Sequence, residues 1–229
     1  MQLIIPGMSV ILAIETSTPA GEVALAQDGQ LLFYVDFRSE RNHNSALFPA
    51  LQEALAHPAA AELGRILVGT GPGSYNGCRI AIAAAQGIAT VRGAMVTGLS
   101  SFYGLEGRDS DGVACICGDA RRAEFYTQRF ENGALAPEPT LHQKEAFLSQ
   151  LEKDRADGIP ILSTDEPARL DFAGPITFGT PSARALIRSW LALPPSEATR
   201  LQQIAPEPAY LRPPHITKAK PRARSQFRA

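Results

Sequence analysis

The segment from residue 77 to 91 constrains the fold of this chain more than any other. Its only polar side chains are Arg79, Gln86 and Thr90, and apolar residues occupy most other directions around a helix. A helix that is apolar all round must be covered all round. Most of its side chains are small, which permits another helix to approach closely. Two arrangements meet this requirement: a central helix between two layers of one domain, or a helix whose outer face meets a second subunit.

A glycine-rich loop, GTGPGSYNG at 69–77, follows a strand-like run and opens this helix. Its candidate functional residues are Gly71, Gly73, Ser74, Tyr75 and Gly77. Backbone N–H groups at a helix N-terminus can hold an anion, and glycines allow a ligand to come close. The loop lacks the lysine and hydroxyl pattern of a P-loop, and Pro72 removes one donor. A phosphate site and a tight turn that needs a positive φ are both compatible with it.

Periodicity elsewhere indicates a mixed α/β protein without a detectable internal repeat. Strands are predicted at 10–15, 22–26, 31–37, 65–69, 94–97, 113–117, 124–130 and 159–162, and helices at 43–56, 77–91, 144–151 and 182–193, with Ser100 capping a short helix. Asp28-Gly29 and Asn132-Gly133 are hairpin turn signals. The order of three strands, a helix, a strand, a helix and a strand predicts a mixed sheet flanked by helices. It is not a classical parallel βαβ alternation.

Length and a break in pattern predict two lobes. The chain has 229 residues, 45% of them hydrophobic, which suits two domains of about a hundred residues each. The pattern breaks at residues 109–112. We predict an N-terminal α/β lobe at 1–108, a C-terminal α/β lobe at 109–195, a segment at 196–212 that packs back on the body, and a basic flexible tail at 213–229.

The formal net charge of -1 hides an asymmetry along the chain. Six of the 22 basic residues and none of the 23 acidic ones lie between Ala209 and the C-terminus, so the preceding body is acidic. A basic tail can contact nucleic acid through phosphates, whereas the alternative is a solvated tail that aids solubility.

Compartment is indicated by what the sequence lacks. No apolar run reaches the roughly 18 residues that a membrane span needs. The apolar N-terminus has no basic n-region, so we do not expect a signal peptide. Three cysteines cannot make a disulfide framework and point to a reducing compartment. These features predict a cytoplasmic protein that does not associate with membranes.

The titratable and nucleophilic residues form no recognisable catalytic set. The histidines, at 43, 57, 142 and 215, lack the spacing of a helical metal site. Cys115 and Cys117 share one face of a strand, and without a second cysteine pair we interpret them as buried core residues. Ser17 and Ser74 lack a nucleophile elbow. We therefore predict no catalytic residue and no metal site.

Two charged positions leave alternatives open. Glu15 ends the first strand, where an acid could bind a metal-nucleotide, but no second carboxylate lies nearby in sequence. Asp119-Ala120-Arg121-Arg122 lies between two strands. It could form an anion or partner site, or its Asp and Arg could cap a turn and pair with each other.

Five segments together resemble one known family, in order and in spacing. They are ILAIETS at 11–17, His43-Asn44, GPGSYNGCRI at 71–80, GDARRAEFY at 118–126 and PAYLR at 208–212. The chain resembles the TsaB (YeaZ) family, whose usual pattern reads roughly ILAIDT, H, GPGSFTGLRIG, DARxxEVY and P.YLR. The departures are Glu15 for a common Asp, Tyr75-Asn76 for Phe-Thr, Cys78 for a larger aliphatic residue and Ala81 for a glycine.

The resemblance implies a two-lobed fold of the actin, Hsp70 and sugar-kinase type, each lobe a mixed sheet of ribonuclease-H-like topology. It implies a non-catalytic scaffold that binds and supports TsaD in transferring a threonylcarbamoyl group to adenosine in ANN-decoding tRNAs. TsaE would join the larger assembly, tRNA would be contacted indirectly, and the chain alone would form a homodimer. ATP and metal would belong to the partner subunits, and this chain would have no cofactor of its own.

The same resemblance places the partner surface on helices of the N-terminal lobe. The residues expected there are Arg79, Ile82, Ala85, Gln86, Ala89, His43 and Leu47. The alternative function is an enzyme active by itself, either a sugar-kinase-like ATPase or an M22-type peptidase. An ATPase of this kind needs an acid and hydroxyls in the first hairpin and matching phosphate loops in the second lobe, and only residues 15–18 and Asp119 are candidates for these roles. A peptidase needs a metal cluster or an activated nucleophile, and the sequence shows neither.

Overall fold

The computed structural model describes residues 10–38, 43–107 and 112–211, which form two β-sheets with helices packed on them. The first sheet has the spatial strand order β3-β2-β1-β4-β5. Its strands are β1 Val10–Glu15, β2 Ala20–Gln27, β3 Gln30–Arg38, β4 Leu63–Gly69 and β5 Met95–Leu99. The central strand β1 is antiparallel to β2 and parallel to β4. Every residue of β1 is buried, because both faces of the sheet are covered.

Helices α1 (His43–Ala56) and α2 (Tyr75–Arg92) pack on one face of this sheet. Alternate residues of a strand point to opposite faces, so Val10, Leu12 and Ile14 meet these helices while Ile11 and Ala13 point away. Ser74 caps α2, and Gly93 ends it in the left-handed conformation with φ 67°.

The second sheet contains strands β6 to β11, in the order β11-β10-β6-β7-β8 with β9 also paired to β7. Its strands are β6 Ala114–Arg121, β7 Glu124–Glu131, β8 Ala134–Leu135, β9 Thr140–Gln143, β10 Ile161–Ser163 and β11 Thr177–Phe178. Helix α3 (Lys144–Ala156) covers one face, where Phe147 and Leu151 pack against the two strand cysteines, Cys115 and Cys117. The prediction that these cysteines are buried core residues is confirmed.

Both predicted hairpin turns are present. Asp28 and Gly29 join β2 to β3 with φ of 51° and 81°, and Asn132 and Gly133 join β7 to β8 with φ of 51° and 75°. Two consecutive positive φ values are what a type I′ turn requires, and Asn, Asp and Gly tolerate this region best.

The two sheets share one topology. In each, a central strand has an antiparallel hairpin partner on one side and a parallel strand on the other: β2 and β4 for β1, β7 and β10 for β6. This is the duplicated ribonuclease-H-like arrangement of the actin, Hsp70 and sugar-kinase fold, so the predicted fold class is confirmed. The repeat lies in the topology alone, since the sequence shows none.

Helix α4 (Ala183–Ala192) crosses back to the first sheet. Its residues Ala183, Leu186 and Ile187 join the core that fills the space between the sheets. Glu22 on β2, which is nearly fully buried, accepts hydrogen bonds from the backbone N–H (2.7 Å) and guanidinium (2.8 Å) of Arg184. The predicted lobe boundaries assign α4 to the C-terminal lobe, whereas this contact binds it to the N-terminal sheet.

The chain after α4 also contacts the body. Helix α5 (Pro195–Gln202) is followed by a segment in which the Ala209 N–H donates to the Thr70 carbonyl at 2.8 Å, and Leu211 packs on the central core. The predicted boundary at 109 and the basic tail at 213–229 lie outside the described residues, so the lobe limits stay a prediction. None of the described helices combines the length and apolarity needed to cross a bilayer.

Candidate functional site

Glu15, the candidate ligand of a metal-nucleotide, is buried beneath the first sheet's neighbouring loops. Its side chain is fully buried, and Oε1 accepts a hydrogen bond of 2.6 Å from the Ser17 N–H. Oε2 has no hydrogen-bond partner among the described atoms, and a Cβ added at Gly69 would lie 1.9 Å from it. Burial raises the pKa of this carboxyl. This carboxyl is not among the residues that line the cleft between the sheets.

The glycine-rich loop packs against the turn that follows β1. The Ser74 N–H donates to the Ser17 carbonyl at 2.6 Å, and the Thr16 hydroxyl donates to the Gly77 carbonyl at 2.9 Å. A Cβ at Gly73 would lie 2.2 Å from the Ser17 carbonyl oxygen. The glycines therefore permit contact with the protein's own backbone.

The same loop has the conformation of a tight turn. Gly71 has φ 90°, which favours glycine. The Gly77 N–H donates to the Ser74 hydroxyl, so at least two N–H groups that a phosphate would need already have partners. Of the two interpretations of the loop, these contacts support the tight turn.

The two histidines whose side chains are described, and the three cysteines, take structural roles. His142 Nε2 lies 2.8 Å from the Thr127 hydroxyl, and His57 Nδ1 accepts from the Ala59 N–H. Burial raises the pKa of the Cys78 and Cys117 thiols to about 12, which keeps them protonated and unreactive. Within residues 10–38, 43–107 and 112–211 no group of three or more metal-ligating side chains comes together.

Asp119 caps the turn between β6 and β7. Its Oδ1 accepts from the Arg121 N–H at 2.6 Å, and its Oδ2 lies 3.4 Å from Arg121 Nη1. Of the two alternatives left open for this turn, the capped turn with an Asp–Arg pair is the one these contacts show for Asp119 and Arg121. The turn also lines a cleft of 390 Å³ between the two sheets, which Tyr75 and Tyr210 line as well.

An apolar groove lies open between α1 and α2. Its volume is 890 Å³, and its lining residues are Phe48, Leu51, Gln52, Leu55, Ala56, Ile80, Ala83, Ala84, Gly87 and Ile88. All but one of them are apolar. Phe48 is 53% exposed, and Val91 at the end of α2 is 83% exposed. Contiguous apolar surfaces of this kind are typical of sites that bind another protein, a membrane or a ligand, because their exposure to water is unfavourable.

Helix α2 thus has three faces. Cys78, Ala81, Ile82 and Ala85 are buried against the lobe's own sheet and α1. The polar side chains at 79, 86 and 90 form an exposed stripe, and the groove residues lie between the two. Small residues on the groove face leave room for a partner helix.

The structure contradicts part of the predicted partner surface. Leu47, Ile82 and Ala85 are buried in the core of this chain, so they do not line an open surface. Arg79 and Gln86 are exposed on the polar stripe, and Ala89 is half-buried. His43 begins α1, but its side chain lies outside the described residues.

Sequence reasoning missed the groove residues as a set. The two large faces of α2 are both apolar, so the helical spacing of apolar residues does not distinguish the face that packs on the sheet and α1 from the face that stays open. Side-chain size does not resolve this either, because the buried face also carries alanines, Ala81 and Ala85, and the groove face also carries isoleucines, Ile80 and Ile88.

Comparisons with known proteins agree with this fold. A family model described as TsaD, tRNA N6-adenosine threonylcarbamoyltransferase, matches residues 38–150. The chain is 32% identical over 155 residues to the tRNA threonylcarbamoyladenosine biosynthesis protein TsaB of Bacillus subtilis, covering 63% of this chain and 67% of that protein. The TsaB protein of Escherichia coli is 33% identical over 139 residues, which cover 57% of this chain and 60% of the relative.

Solved structures show the same architecture. YeaZ from Pseudomonas aeruginosa superposes with a TM-score of 0.67 at 24% identity, covering 89% of this chain and 100% of that one. Two of its relatives, which are 32% and 33% identical to this chain over the aligned residues, are named tRNA threonylcarbamoyladenosine biosynthesis proteins TsaB. Because of this identity, this chain belongs to the TsaB family.

Proposed function

We propose that this protein is a non-catalytic scaffold subunit that binds TsaD and supports it in transferring a threonylcarbamoyl group to adenosine in ANN-decoding tRNAs. The observation that carries the proposal is the open apolar groove between α1 and α2, because it offers a helical partner a large apolar contact. TsaE joins the larger assembly, ATP and metal belong to the partner subunits, and the complex works in the cytoplasm.

The groove suits a helix for geometric reasons. Its floor is formed by Leu51 and Leu55 on one side and by Ala84 and Gly87 on the other. Small residues on α2 bring the partner backbone close, and the exposed Phe48 ring supplies an aromatic anchor of the kind that dominates interface energetics. Without TsaD, two copies of this chain pair through the same groove, since an isologous contact buries each copy's apolar face.

The absence of independent catalysis rests on the groups described above. The first-strand acid is enclosed, the thiols are held protonated, and the two histidines whose side chains are described take part in structural hydrogen bonds. A general acid, base or nucleophile must reach a substrate; Glu15 and the thiols are buried, and the two partly exposed histidines already have hydrogen-bond partners.

The test is reconstitution. TsaD, TsaE and a TsaC-type enzyme from the same organism are incubated with tRNA, threonine, bicarbonate and ATP, and threonylcarbamoyladenosine is measured by mass spectrometry of the nucleosides. We expect product to require this chain, and the chain alone to hydrolyse no ATP and to modify no tRNA.

Glu15→Gln distinguishes the scaffold from an enzyme. The glutamine keeps an acceptor for the Ser17 N–H, so the complex should form and product should stay within a few fold of the wild type. A loss of about a thousandfold with the complex intact would identify a catalytic carboxylate and overturn the proposal.

A further inference from the structure

Two tyrosines form an exposed aromatic pair at the mouth of the cleft between the sheets. Tyr75 is the first residue of α2 and Tyr210 lies in the C-terminal segment; their ring centroids are 5.4 Å apart, with the planes tilted by 43°. They are 47% and 56% exposed. One turn further along α2, the Arg79 guanidinium lies 5.1 Å from the centre of the Tyr75 ring.

This arrangement differs from the buried aromatic pairs among the described residues. The described pairs Phe125–Phe147 and Tyr103–Phe130 are largely buried and contribute to the core. The cleft pair is about half exposed, so part of each ring is available to stack on a planar ligand. A guanidinium beside them adds a cation that also stacks on aromatic rings.

The opposite wall of the cleft carries arginines on a strained turn. Arg121, Arg122 and Ala123 all have positive φ, at 68°, 57° and 60°. A residue other than glycine costs about 1 kcal/mol in this left-handed region, so three in succession lower the stability of the fold. Asp119 pairs with Arg121, whereas Arg122 is exposed and has no ion pair with any described residue.

Two aspartates, Asp119 and Asp165, line the cleft, and the exposed Glu207 lies near Tyr210. Arg121 pairs with Asp119, and Asp165 Oδ2 accepts from the Asp119 N–H at 2.6 Å. The two aspartates are thus held by the turn itself, and Arg79 and Arg122 remain for an external anion.

We infer that the cleft mouth formed by Tyr75, Tyr210, Arg79 and Arg122 binds single-stranded RNA directly. Unpaired bases stack on the two tyrosines, and the arginines contact the flanking phosphates. Stacking is tolerant of base identity, because every base has a π-face, so the site discriminates single strands from duplexes and not one sequence from another. Bases in a duplex are already stacked and do not reach the rings.

This site is separate from the apolar groove, so the inference extends the proposed function without depending on it. The groove contacts protein through α1 and α2, whereas the cleft mouth gives the scaffold a direct contact with RNA. Failure of RNA binding would leave TsaD binding through the groove intact, and the reverse also holds.

The experiment measures binding of a fluorescein-labelled ten-nucleotide single-stranded RNA to the full chain by fluorescence anisotropy, across a salt series. Tyr75→Ala and Tyr210→Ala should each weaken binding by about fivefold or more, because stacking contributes about 1–3 kcal/mol per base. Tyr75→Phe and Tyr210→Phe keep the rings and should bind like the wild type. Tyr34→Ala is the matched control, since Tyr34 is also exposed (46%) beside an arginine but lies on β3 away from the cleft.

The salt dependence of RNA affinity distinguishes the contribution of the arginines from that of the tyrosines. Arg122→Ala should reduce the slope of log K against log salt by about 0.7, the value of one phosphate contact on a single strand. The tyrosine substitutions should lower affinity and leave the slope unchanged. All variants replace exposed side chains, and thermal unfolding confirms that they fold.

Three results would overturn the inference. One is a wild-type chain that does not bind the oligonucleotide at low salt. Another is equal binding of a duplex of the same length. The third is binding that is lost in a chain ending at residue 211 while both Tyr→Ala variants bind normally, because the basic tail alone would then account for it.

Discussion

Replacing Gly87 by glutamate places a carboxylate in the apolar groove without disturbing the lobe. A Cβ at Gly87 would meet no atom within 4 Å, so the larger residue has space. Glycine inside a helix is less favourable than glutamate by about 0.5 kcal/mol. We therefore expect Gly87→Glu to be slightly more stable than the wild type, with a melting temperature higher by about 1–2 °C.

Association should change in the opposite direction. An unpaired carboxylate that a partner helix covers must lose its hydration or prevent close contact, at a cost of about 3 kcal/mol or more. That cost corresponds to a dissociation constant at least about 100-fold higher. If Gly87→Glu is more stable than the wild type but binds TsaD more weakly, the loss of affinity cannot be due to misfolding.

The assay is calorimetric titration of TsaD with each variant, together with sedimentation of the isolated chain. Gly87→Gln adds the same bulk without charge and separates size from electrostatics. Gln30→Glu adds the same charge at an exposed position on β3, outside the groove lining, and should bind like the wild type. If Gly87→Glu is folded and binds TsaD with unchanged affinity, the groove is not the interface.

Three further predictions concern stability and reactivity. Burial raises the pKa of Glu15 above the ordinary value of a glutamate in the folded state, so the folded protein holds this proton to higher pH than the unfolded chain. The wild type should lose stability as pH rises from about 4.5 through that raised pKa, and Glu15→Gln should lack this loss, so urea unfolding should show a difference that widens with pH. Arg184→Ala should destabilise the fold by about 2 kcal/mol because it leaves buried Glu22 unpaired, whereas Arg188→Ala on the same helix, whose partner Glu106 is exposed, should change urea unfolding by less than about 0.5 kcal/mol. All three cysteines are buried, so a thiol reagent at pH 8 should label them only after unfolding; rapid labelling of the native protein would contradict the packing described for them.

Local elements were predictable because local chemistry specifies them. The Asp28-Gly29 turn needs two residues that tolerate positive φ, and its neighbours alternate as strands, so the hairpin follows from a short stretch of sequence. Helix α1 was predicted with the bounds that the structure has, His43–Ala56, because its leucines recur at helical spacing. Short elements such as β8 and β11, with two residues each, carry too little pattern to be recognised.

The candidate site was predictable as a region and not residue by residue. The sequence pointed to α2 because it is apolar all round, and the groove does lie on this helix. The sequence analysis also assigned Ile82 and Ala85 to the outer surface of α2, but the structure buries both side chains in the core. With apolar residues on both sides of α2, only the position of the sheet and of α1 decides which face remains open.

The sequence by itself determined the family, the α/β class, the two hairpins and the two long helices α1 and α2. Each of these follows from residues close together in the chain or from motifs read in order. Tertiary structure alone decided that α4 returns to the first sheet through Arg184 and Glu22, which are 162 positions apart, and that Glu15 is enclosed. It also brought Tyr75 beside Tyr210 at the cleft mouth. Such contacts depend on how two sheets pack together, and burial of that kind has no periodic signature in sequence.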